Sequence, residues 1–303
     1  MAIDEARCAG EDVVLAQVLS GGGGVGKSQL AASYARDAAR AGTDLVLWVG
    51  ASDVQQVIAL YAHTAQLIQA PGALGTDVEA DARAFLGWLA TTSCRWLVVL
   101  DDVTDPAKLA PWWPAAHSGA GWVLATSRRK DGRLTGQGRR KVDVDVYSPA
   151  EAVAYVEDRL ATDALTHLLD GSQELVEELG FLPLAIGHAV AYLISQQMTC
   201  ADYLALLQDR ERSLAEILPA WADTENYGRQ VTAALLLSLA AAQADSPRGL
   251  ALPVLRLTAL LSPAGHPADI WEGSPVLSYL AGSTKTNMGH RLHYPTLRCV
   301  RTY

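Results

Sequence analysis

Short apolar runs alternate with amphipathic segments along the first half of the chain. A run of four to eight apolar residues is typical of a buried strand, whereas apolar residues spaced three and four apart are typical of a helix. Five runs predict strands, namely Val13–Leu19, Leu45–Val49, Trp96–Leu100, Trp122–Ala125 and Val142–Val146. Helical patterns lie between the first three of these predicted strands, at Gln29–Arg40, Val54–Gln69 and Val78–Ala90. This alternation predicts an α/β fold, with a parallel five-stranded sheet and right-handed crossovers.

The pattern changes after Tyr147, where almost every segment reads as helical. Ser148, Pro149 and Glu151 form a helix start, with an N-cap serine, a proline at the first position and a capping-box glutamate. Helices are predicted at Pro149–Ala161, Ser172–Leu179, Pro183–Gln196, Cys200–Glu211, Gly228–Gln243 and Gly249–Leu261. We therefore expect an N-terminal extension (1–12), an α/β domain (13–147), a helical domain (148–225), a further helical region (226–281) and a disordered tail (282–303).

A glycine-rich segment, SGGGGVGKS, joins the first predicted strand to the first predicted helix. Gly21, Gly26, Lys27 and Ser28 fit the pattern of a phosphate-binding loop. Glycine N–H groups can converge on phosphate oxygens because no Cβ is in the way, and the helix that follows adds the positive end of its dipole. The predicted nucleotide contacts are Gly21, Gly22, Gly23, Gly24, Val25, Gly26, Lys27, Ser28 and Gln29. In this arrangement Lys27 reaches the β- and γ-phosphates of ATP or ADP, and the Ser28 hydroxyl holds Mg²⁺. The alternative is a flexible glycine loop, which the position between strand and helix disfavours.

Two carboxylates follow the third predicted strand, 74 residues after Lys27. Acids at the end of a buried apolar strand are costly unless a cation or a reaction needs them. We expect Asp101 to serve the Mg²⁺ shell, directly or through water, and Asp102 to polarise an attacking water. The alternative is a strand-to-turn junction, where aspartate is common.

Polar residues also end the fourth predicted strand. Thr126 or Ser127 can hydrogen-bond the γ-phosphate or the catalytic water, and Arg128 can bind γ-phosphate oxygens and so distinguish ATP from ADP. The alternative for Arg128 is an exposed arginine in a basic cluster that extends to Lys141, which we interpret as a solvated loop rather than a nucleic-acid groove.

Composition narrows the function classes. The net charge of −9 argues against a nucleic-acid partner. The four cysteines are far apart and lack metal-ligand spacing, which favours reduced thiols. The sequence has no run of 18 apolar residues, and the first 12 residues carry four acids, so we expect neither a membrane span nor a signal peptide. Together these features predict a cytoplasmic protein.

The motifs stand in the same order as in the NB-ARC class of STAND ATPases, which are similar to AAA+ proteins. GGGGVGKS resembles the phosphate loop of that family, LVLWVGAS its second-strand motif, WLVVLDDV its Walker B strand, VLATSR its sensor-1 strand and GFLPLA its GLPL motif. The resemblance implies a strand order of 5-1-4-3-2. It also implies a γ-phosphate sensor at Arg128, an adenine contact at Pro183, and catalytic work by Lys27, Asp101, Asp102 and Arg128.

The resemblance extends from Val13 to Ala244, and residues 226–281 look like part of a winged-helix region. Three family features are not found: an upstream Gly-Arg pair, for which Ala6-Arg7-Cys8 is a poor substitute, the Met-His-Asp motif, and helical repeats. We therefore expect the motor and switch core of a larger protein, or a truncated copy of one.

These observations predict a molecular switch that binds ATP or ADP and hydrolyses ATP slowly with Mg²⁺. Its output would be self-assembly or the binding of a protein partner. One alternative is a nucleotide-binding adaptor or scaffold core with negligible hydrolysis. A small-molecule kinase is a further alternative, although the helical half offers no lid-like arginine cluster. A DNA-loading ATPase is disfavoured by the acidic charge.

Overall fold

The chain forms two compact units, and the division falls between Asp145 and Val146. The computed structural model describes residues 2–17, 23–115, 120–129, 131–136, 138–217, 228–244, 249–261 and 266–283.

The first unit is built on one parallel sheet. Its strands are β1 (Asp12–Gln17), β2 (Leu45–Gly50), β3 (Trp96–Asp101), β4 (Gly121–Thr126) and β5 (Arg139–Val144). Their order is β2-β3-β4-β1-β5, and every neighbouring pair is parallel. The predicted α/β class and the predicted strand order are therefore confirmed.

Helices cover both faces of this sheet, so the apolar residues of the interior strand β3 are enclosed. The helices are α1 (Ala2–Cys8), α2 (Lys27–Arg40), α3 (Val54–Leu67), α4 (Val78–Thr91) and α5 (Pro106–Leu109), with short 3₁₀ turns at Ala110–Trp112 and Gly132–Leu134. On β3, Val98 and Leu100 pack into the cluster that includes α3 and α4, while Leu97 and Val99 pack into the one that includes α2. All four side chains are completely buried, as expected for a parallel strand between two helical layers.

The fifth strand begins earlier than the apolar pattern indicated. Arg139, Arg140 and Lys141 lie in β5 and pair with β1, so the interpretation of these three residues as a solvated loop is wrong. Nε of Arg140 lies 2.8 Å from a carboxylate oxygen of Glu11, and the guanidinium of Arg139 lies over the ring of Trp113. Because β5 is an edge strand, it tolerates basic side chains that a buried strand would exclude.

The N-terminal extension contains a helix that the sequence did not indicate. Ile3 and Ala6 of α1 are buried in the same cluster as Val13, and the Tyr34 hydroxyl donates to the Asp4 carboxylate at 3.1 Å. With seven residues, α1 is too short to show a helical period.

The regular elements in the described part of the second unit are all helical. Its helices are α6 (Pro149–Thr162), α7 (Ser172–Glu178), α8 (Pro183–Gln196), α9 (Cys200–Ile217), α10 (Gly228–Ala244), α11 (Ala251–Thr258) and α12 (Ser274–Ser283), with 3₁₀ turns at Thr166–Leu168 and Ala268–Glu272. The predicted capping box is present, because Ser148 N–H donates to Glu151 at 2.8 Å and Glu151 N–H donates to the Ser148 hydroxyl at 3.3 Å. Side chains from α6 to α10 share one buried cluster, which includes Val156, Ile186 and Tyr203.

The last part of the chain is described only in segments. Within residues 228–244, 249–261 and 266–283 the regular elements are helical, and a relation to a winged helix stays a prediction. Gly282 and Ser283 belong to α12, so the predicted tail does not begin at residue 282. Residues 284–303 lie outside the described residues.

Candidate functional site

The site residues lie at one edge of the sheet, where parallel strands end. Asp101 is the last residue of β3, and Thr126 is the last residue of β4. In the parallel pairing of β4 with β1, Thr126 lies opposite Leu15, and β1 is the strand that precedes the glycine-rich loop. The carboxyl ends of parallel strands are where ligands bind in open α/β sheets.

The described part of the glycine-rich loop begins at Gly23, so Gly21 and Gly22 lie outside it. Gly24 and Gly26 have φ values of 95° and 91°, in the left-handed region that a residue with a Cβ rarely adopts. Gly26 is the N-cap residue of α2 and provides no side-chain cap to the first N–H groups of this helix. Such N–H groups, with the positive end of the helix dipole, attract an anion.

Lys27 and Ser28 open α2 and face different environments. The Lys27 side chain is buried, with 8% exposure, whereas Ser28 is exposed, as is Gln29 beyond it. Burial lowers the pKa of Lys27, and the nearby charge of Arg128 lowers it further, while the carboxylates Asp102 and Asp101 oppose the shift. A phosphate bound at this point would favour the charged form of the lysine.

Asp101 accepts hydrogen bonds from two hydroxyl groups on one carboxylate oxygen. Ser28 Oγ donates to Asp101 Oδ1 at 2.7 Å, and Thr126 Oγ1 donates to the same oxygen at 2.6 Å. The structure thus brings together the serine at the start of α2 and the acid at the end of β3. A hydroxyl and a carboxylate are hard oxygen donors of the kind that Mg²⁺ prefers, so the residues present fit this cation.

The backbone turns at Asp102, the residue immediately after β3. Its φ is 59°, a left-handed conformation that aspartate adopts more readily than most residues, and its N–H donates to Thr126 Oγ1 at 2.8 Å. Its Oδ1 lies 3.8 Å from Nε of Arg128, and both side chains are about half exposed, at 46% and 53%. The predicted base and the predicted γ-phosphate sensor are therefore an ion pair in this structure.

The two hydroxyl residues at the end of β4 are buried and have partners. Ser127 Oγ donates to the Val103 carbonyl at 2.7 Å and accepts from Arg129 N–H at 3.0 Å. Thr126 is 2% exposed and connects Asp101 to the backbone of Asp102. No sequence motif indicated this bridging contact, although the implied order of strands 4 and 3 already placed the two strand ends side by side.

Pro183 belongs to the second unit. It is the first residue of α8. Gly180 and Phe181, which lie between α7 and α8, have left-handed φ values of 60° and 57°. The predicted stop at Gly180 and restart at Pro183 are both observed. The contact between Pro183 and adenine stays a prediction.

The described residues show neither a cluster of metal ligands nor a membrane-spanning helix. They contain no group of three or more His, Cys, Asp or Glu side chains that could hold a metal ion. Nor do they include a helix with the length and apolar character needed to cross a membrane.

Comparison with known families agrees with this geometry. The family model of the NB-ARC domain matches residues 9–160, which include the glycine-rich loop, the Asp101–Asp102 pair and Arg128. The chain belongs to the NB-ARC family. Membership in this family, of the STAND class of P-loop ATPases, implies that the protein binds a nucleotide.

Similar proteins are much longer than this NB-ARC chain. The regulatory protein AfsR of Streptomyces coelicolor is 31% identical over 211 residues, which cover 68% of this chain and 21% of that protein. A nucleotide-binding leucine-rich repeat (NLR)-like protein of Hyaloscypha variabilis is 26% identical over 233 residues, which cover 70% of this chain and 23% of that one. The chain thus spans about a fifth of the length of these relatives.

Among solved structures, a STAND protein with a tetratricopeptide repeat sensor from Pyrococcus horikoshii matches 71% of this chain and 33% of its own. Its sequence identity is 17% and its TM-score is 0.43.

Proposed function

We propose that this NB-ARC chain is a nucleotide-dependent switch that binds ATP or ADP together with Mg²⁺. The observation that carries the proposal is the 2.7 Å contact between Ser28 and Asp101, at the end of a glycine-rich loop. This contact joins the two elements that hold phosphate and cation in P-loop proteins, the start of α2 and the end of β3.

Each residue of the site has a proposed task. The loop from Gly21 to Gly26 supplies N–H groups to the phosphates, and Lys27 supplies a buried positive charge. Ser28 and Asp101 hold Mg²⁺, which neutralises charge on the phosphate oxygens when it is bound. Arg128 binds the γ-phosphate and thereby distinguishes ATP from ADP.

We further propose that hydrolysis is slow and that Asp102 accepts the proton of the attacking water. Its carboxylate is half exposed, and one of its oxygens lies 3.8 Å from Nε of Arg128, so the charge of the arginine competes with the proton of the water for this carboxylate. The same observation favours a second candidate, a nucleotide-binding core with negligible hydrolysis, in which the pair persists.

The proposed output is regulatory. The similarity to a protein named as regulatory supports a regulatory role. For this role we propose a conformational change on ATP binding that leads to self-assembly or to the binding of a protein partner. The net charge of −9 disfavours nucleic acid as that partner. Free thiols at Cys8, Cys94 and Cys200 support a reducing compartment such as the cytoplasm.

The test is nucleotide binding to the purified chain. The nucleotide that co-purifies is released by denaturation and identified by chromatography, and the affinities for ADP and ATP with Mg²⁺ are then measured by calorimetry. Lys27→Ala should abolish binding, because the phosphates lose a charge-assisted contact. Lys108→Ala is the control, since Lys108 is exposed and forms an ion pair with Asp105, three residues before it. If the folded Lys27→Ala protein binds as tightly as the parent, the phosphate-loop assignment is wrong.

A further inference from the structure

One buried hydroxyl connects the two carboxylate residues of the site. Thr126 Oγ1 donates to Asp101 Oδ1 at 2.6 Å and accepts from the N–H of Asp102 at 2.8 Å. The Thr126 carbonyl also accepts from Val103 N–H at 2.8 Å, so the turn after β3 is held at two points by one residue of β4.

The chemistry of a hydroxyl limits what Thr126 can do. A threonine hydroxyl carries one proton, and a carboxylate can only accept, so this proton is directed to Asp101. The oxygen also receives the N–H of Asp102, which occupies one of its lone pairs. With 2% exposure and both functions in use, the hydroxyl has no proton to offer a γ-phosphate or a water.

Ser28 and Thr126 differ in how a cation would affect them. Both donate to Asp101 Oδ1, but only Ser28 is exposed and stands at the start of α2. A serine that binds a cation presents a lone pair to it, and its proton then has to turn away from that direction. Of the two hydroxyl donors to Asp101, Thr126 is the buried one, and its hydrogen bond needs no reorientation when a cation is bound.

We propose that Thr126 is a positioning residue that holds Asp101 for the cation and fixes the backbone of Asp102, and that it does not contact the phosphate. This inference rests on the proposed nucleotide and Mg²⁺ site and assigns it a supporting residue. Partners that orient a metal ligand affect metal affinity by about 10- to 100-fold when they are removed.

The experiment compares the gain in ADP affinity that Mg²⁺ produces in four proteins. They are the parent chain, Thr126→Val, Thr126→Ser and Thr64→Val. Valine has nearly the shape of threonine but lacks the hydroxyl, and serine restores it. Thr64 is the matched control because it is also buried, and its hydroxyl donates to the Leu60 carbonyl within α3, away from Asp101. The affinity is measured in EDTA and across a Mg²⁺ titration, and urea unfolding reports the stability of each variant.

We expect Thr126→Val to bind ADP in EDTA with the same affinity as the parent. To reach the tighter ADP binding that Mg²⁺ produces, it should need a Mg²⁺ concentration about tenfold or more above that of the parent. Thr126→Ser and Thr64→Val should stay within about threefold of the parent in both conditions. A general loss of structure would lower both affinities and would appear in the unfolding curve, whereas loss of positioning changes only the response to Mg²⁺.

Two results would overturn the assignment. If the Mg²⁺ requirement of Thr126→Val matches that of Thr64→Val, the hydroxyl does not position Asp101. If folded Thr126→Val binds ADP more weakly in EDTA by the same factor as with Mg²⁺, the hydroxyl serves the nucleotide and not the cation ligand. A parent chain that binds no nucleotide is a separate outcome, which overturns the proposed function and this inference with it.

Discussion

Ser28 and Asp101 are 73 positions apart in the sequence, yet the serine hydroxyl donates to the aspartate carboxylate at 2.7 Å. The contact exists because β3 and β1 run parallel with β4 between them, so that the end of β3 and the start of α2 meet at one edge of the sheet. The fold is therefore directly responsible for the pair on which the proposed cation site depends.

The packing of β4 against β3 predicts a strong effect at Gly121. A Cβ at this position would lie 1.9 Å from the Trp96 indole, and this indole is buried and donates to the Leu89 carbonyl at 3.1 Å. Gly121→Ala should therefore lower the free energy of unfolding by about 3 kcal/mol or more, measured in urea. Gly87→Ala, on exposed α4 surface with open space around it, should instead raise it by about 0.5–1 kcal/mol. A Gly121→Ala protein as stable as the parent would mean that Trp96 is packed differently.

A buried hydroxyl predicts a substitution that does not destabilise. Tyr61 is fully buried against Phe85, and its hydroxyl has no hydrogen-bond partner among the described residues. Burial also raises the pKa of Tyr61. Tyr61→Phe removes a desolvated polar group, so the free energy of unfolding should stay equal or rise by about 1 kcal/mol. Tyr34→Phe is the control, because its hydroxyl donates to Asp4, and it should lose about 1 kcal/mol or less. A clear loss for Tyr61→Phe would reveal a partner for the buried hydroxyl.

If Arg128 binds the γ-phosphate, its removal should affect the affinity for ATP more than the affinity for ADP. Arg128→Ala should leave the affinity for ADP nearly unchanged and weaken that for ATP by about 1.5–3 kcal/mol, the range for one charged hydrogen bond. Calorimetry with each nucleotide measures the difference. The neighbouring Arg129→Ala is a suitable comparison, since the hydrogen bond that residue 129 donates to Ser127 comes from its backbone N–H and survives the substitution. Equal losses for ATP and ADP would show that Arg128 contacts a shared phosphate or stabilises the fold.

The proposed base is tested by removing its proton acceptor. Asp102→Asn keeps the shape and suits the φ of 59°, so ATP should still bind while single-turnover phosphate release falls by about 10²-fold. Asp77→Asn provides a matched exchange at the N-cap of α4 and should leave the rate unchanged. If Asp102→Asn hydrolyses ATP at the parent rate, Asp102 is not the base. A parent chain without turnover would favour the second candidate, a binding core with negligible hydrolysis.

The sequence predicted the buried strand β3 better than β5, which is one of the two edge strands. Trp96–Leu100 differs from the observed β3 by one residue, because a continuous apolar run reports burial on both faces. The β5 strand was placed three residues late, since Arg139, Arg140 and Lys141 at the edge need no apolar side chain. The order of the strands came from the family resemblance, because local periodicity carries no information on which strands are neighbours.

The candidate site was predicted in its residue types but not in its hydrogen bonds. The loop pattern and the acids after a buried strand indicated Lys27, Ser28 and Asp101 directly. The use of the Thr126 hydroxyl by Asp101 and Asp102 depends on the left-handed turn at Asp102, which no motif encodes. The ion pair between Asp102 and Arg128 likewise depends on how two strand ends are placed side by side.

The central claim is that Ser28 and Asp101 hold Mg²⁺ beside a nucleotide on the loop before α2. The most direct measurement is calorimetric binding of ADP, with Mg²⁺ and in EDTA, to the parent chain and to Asp101→Asn. We predict that Mg²⁺ strengthens binding to the parent by about tenfold or more, and that Asp101→Asn retains the affinity in EDTA but loses this gain. A folded Asp101→Asn protein that gains as much from Mg²⁺ as the parent would contradict this prediction.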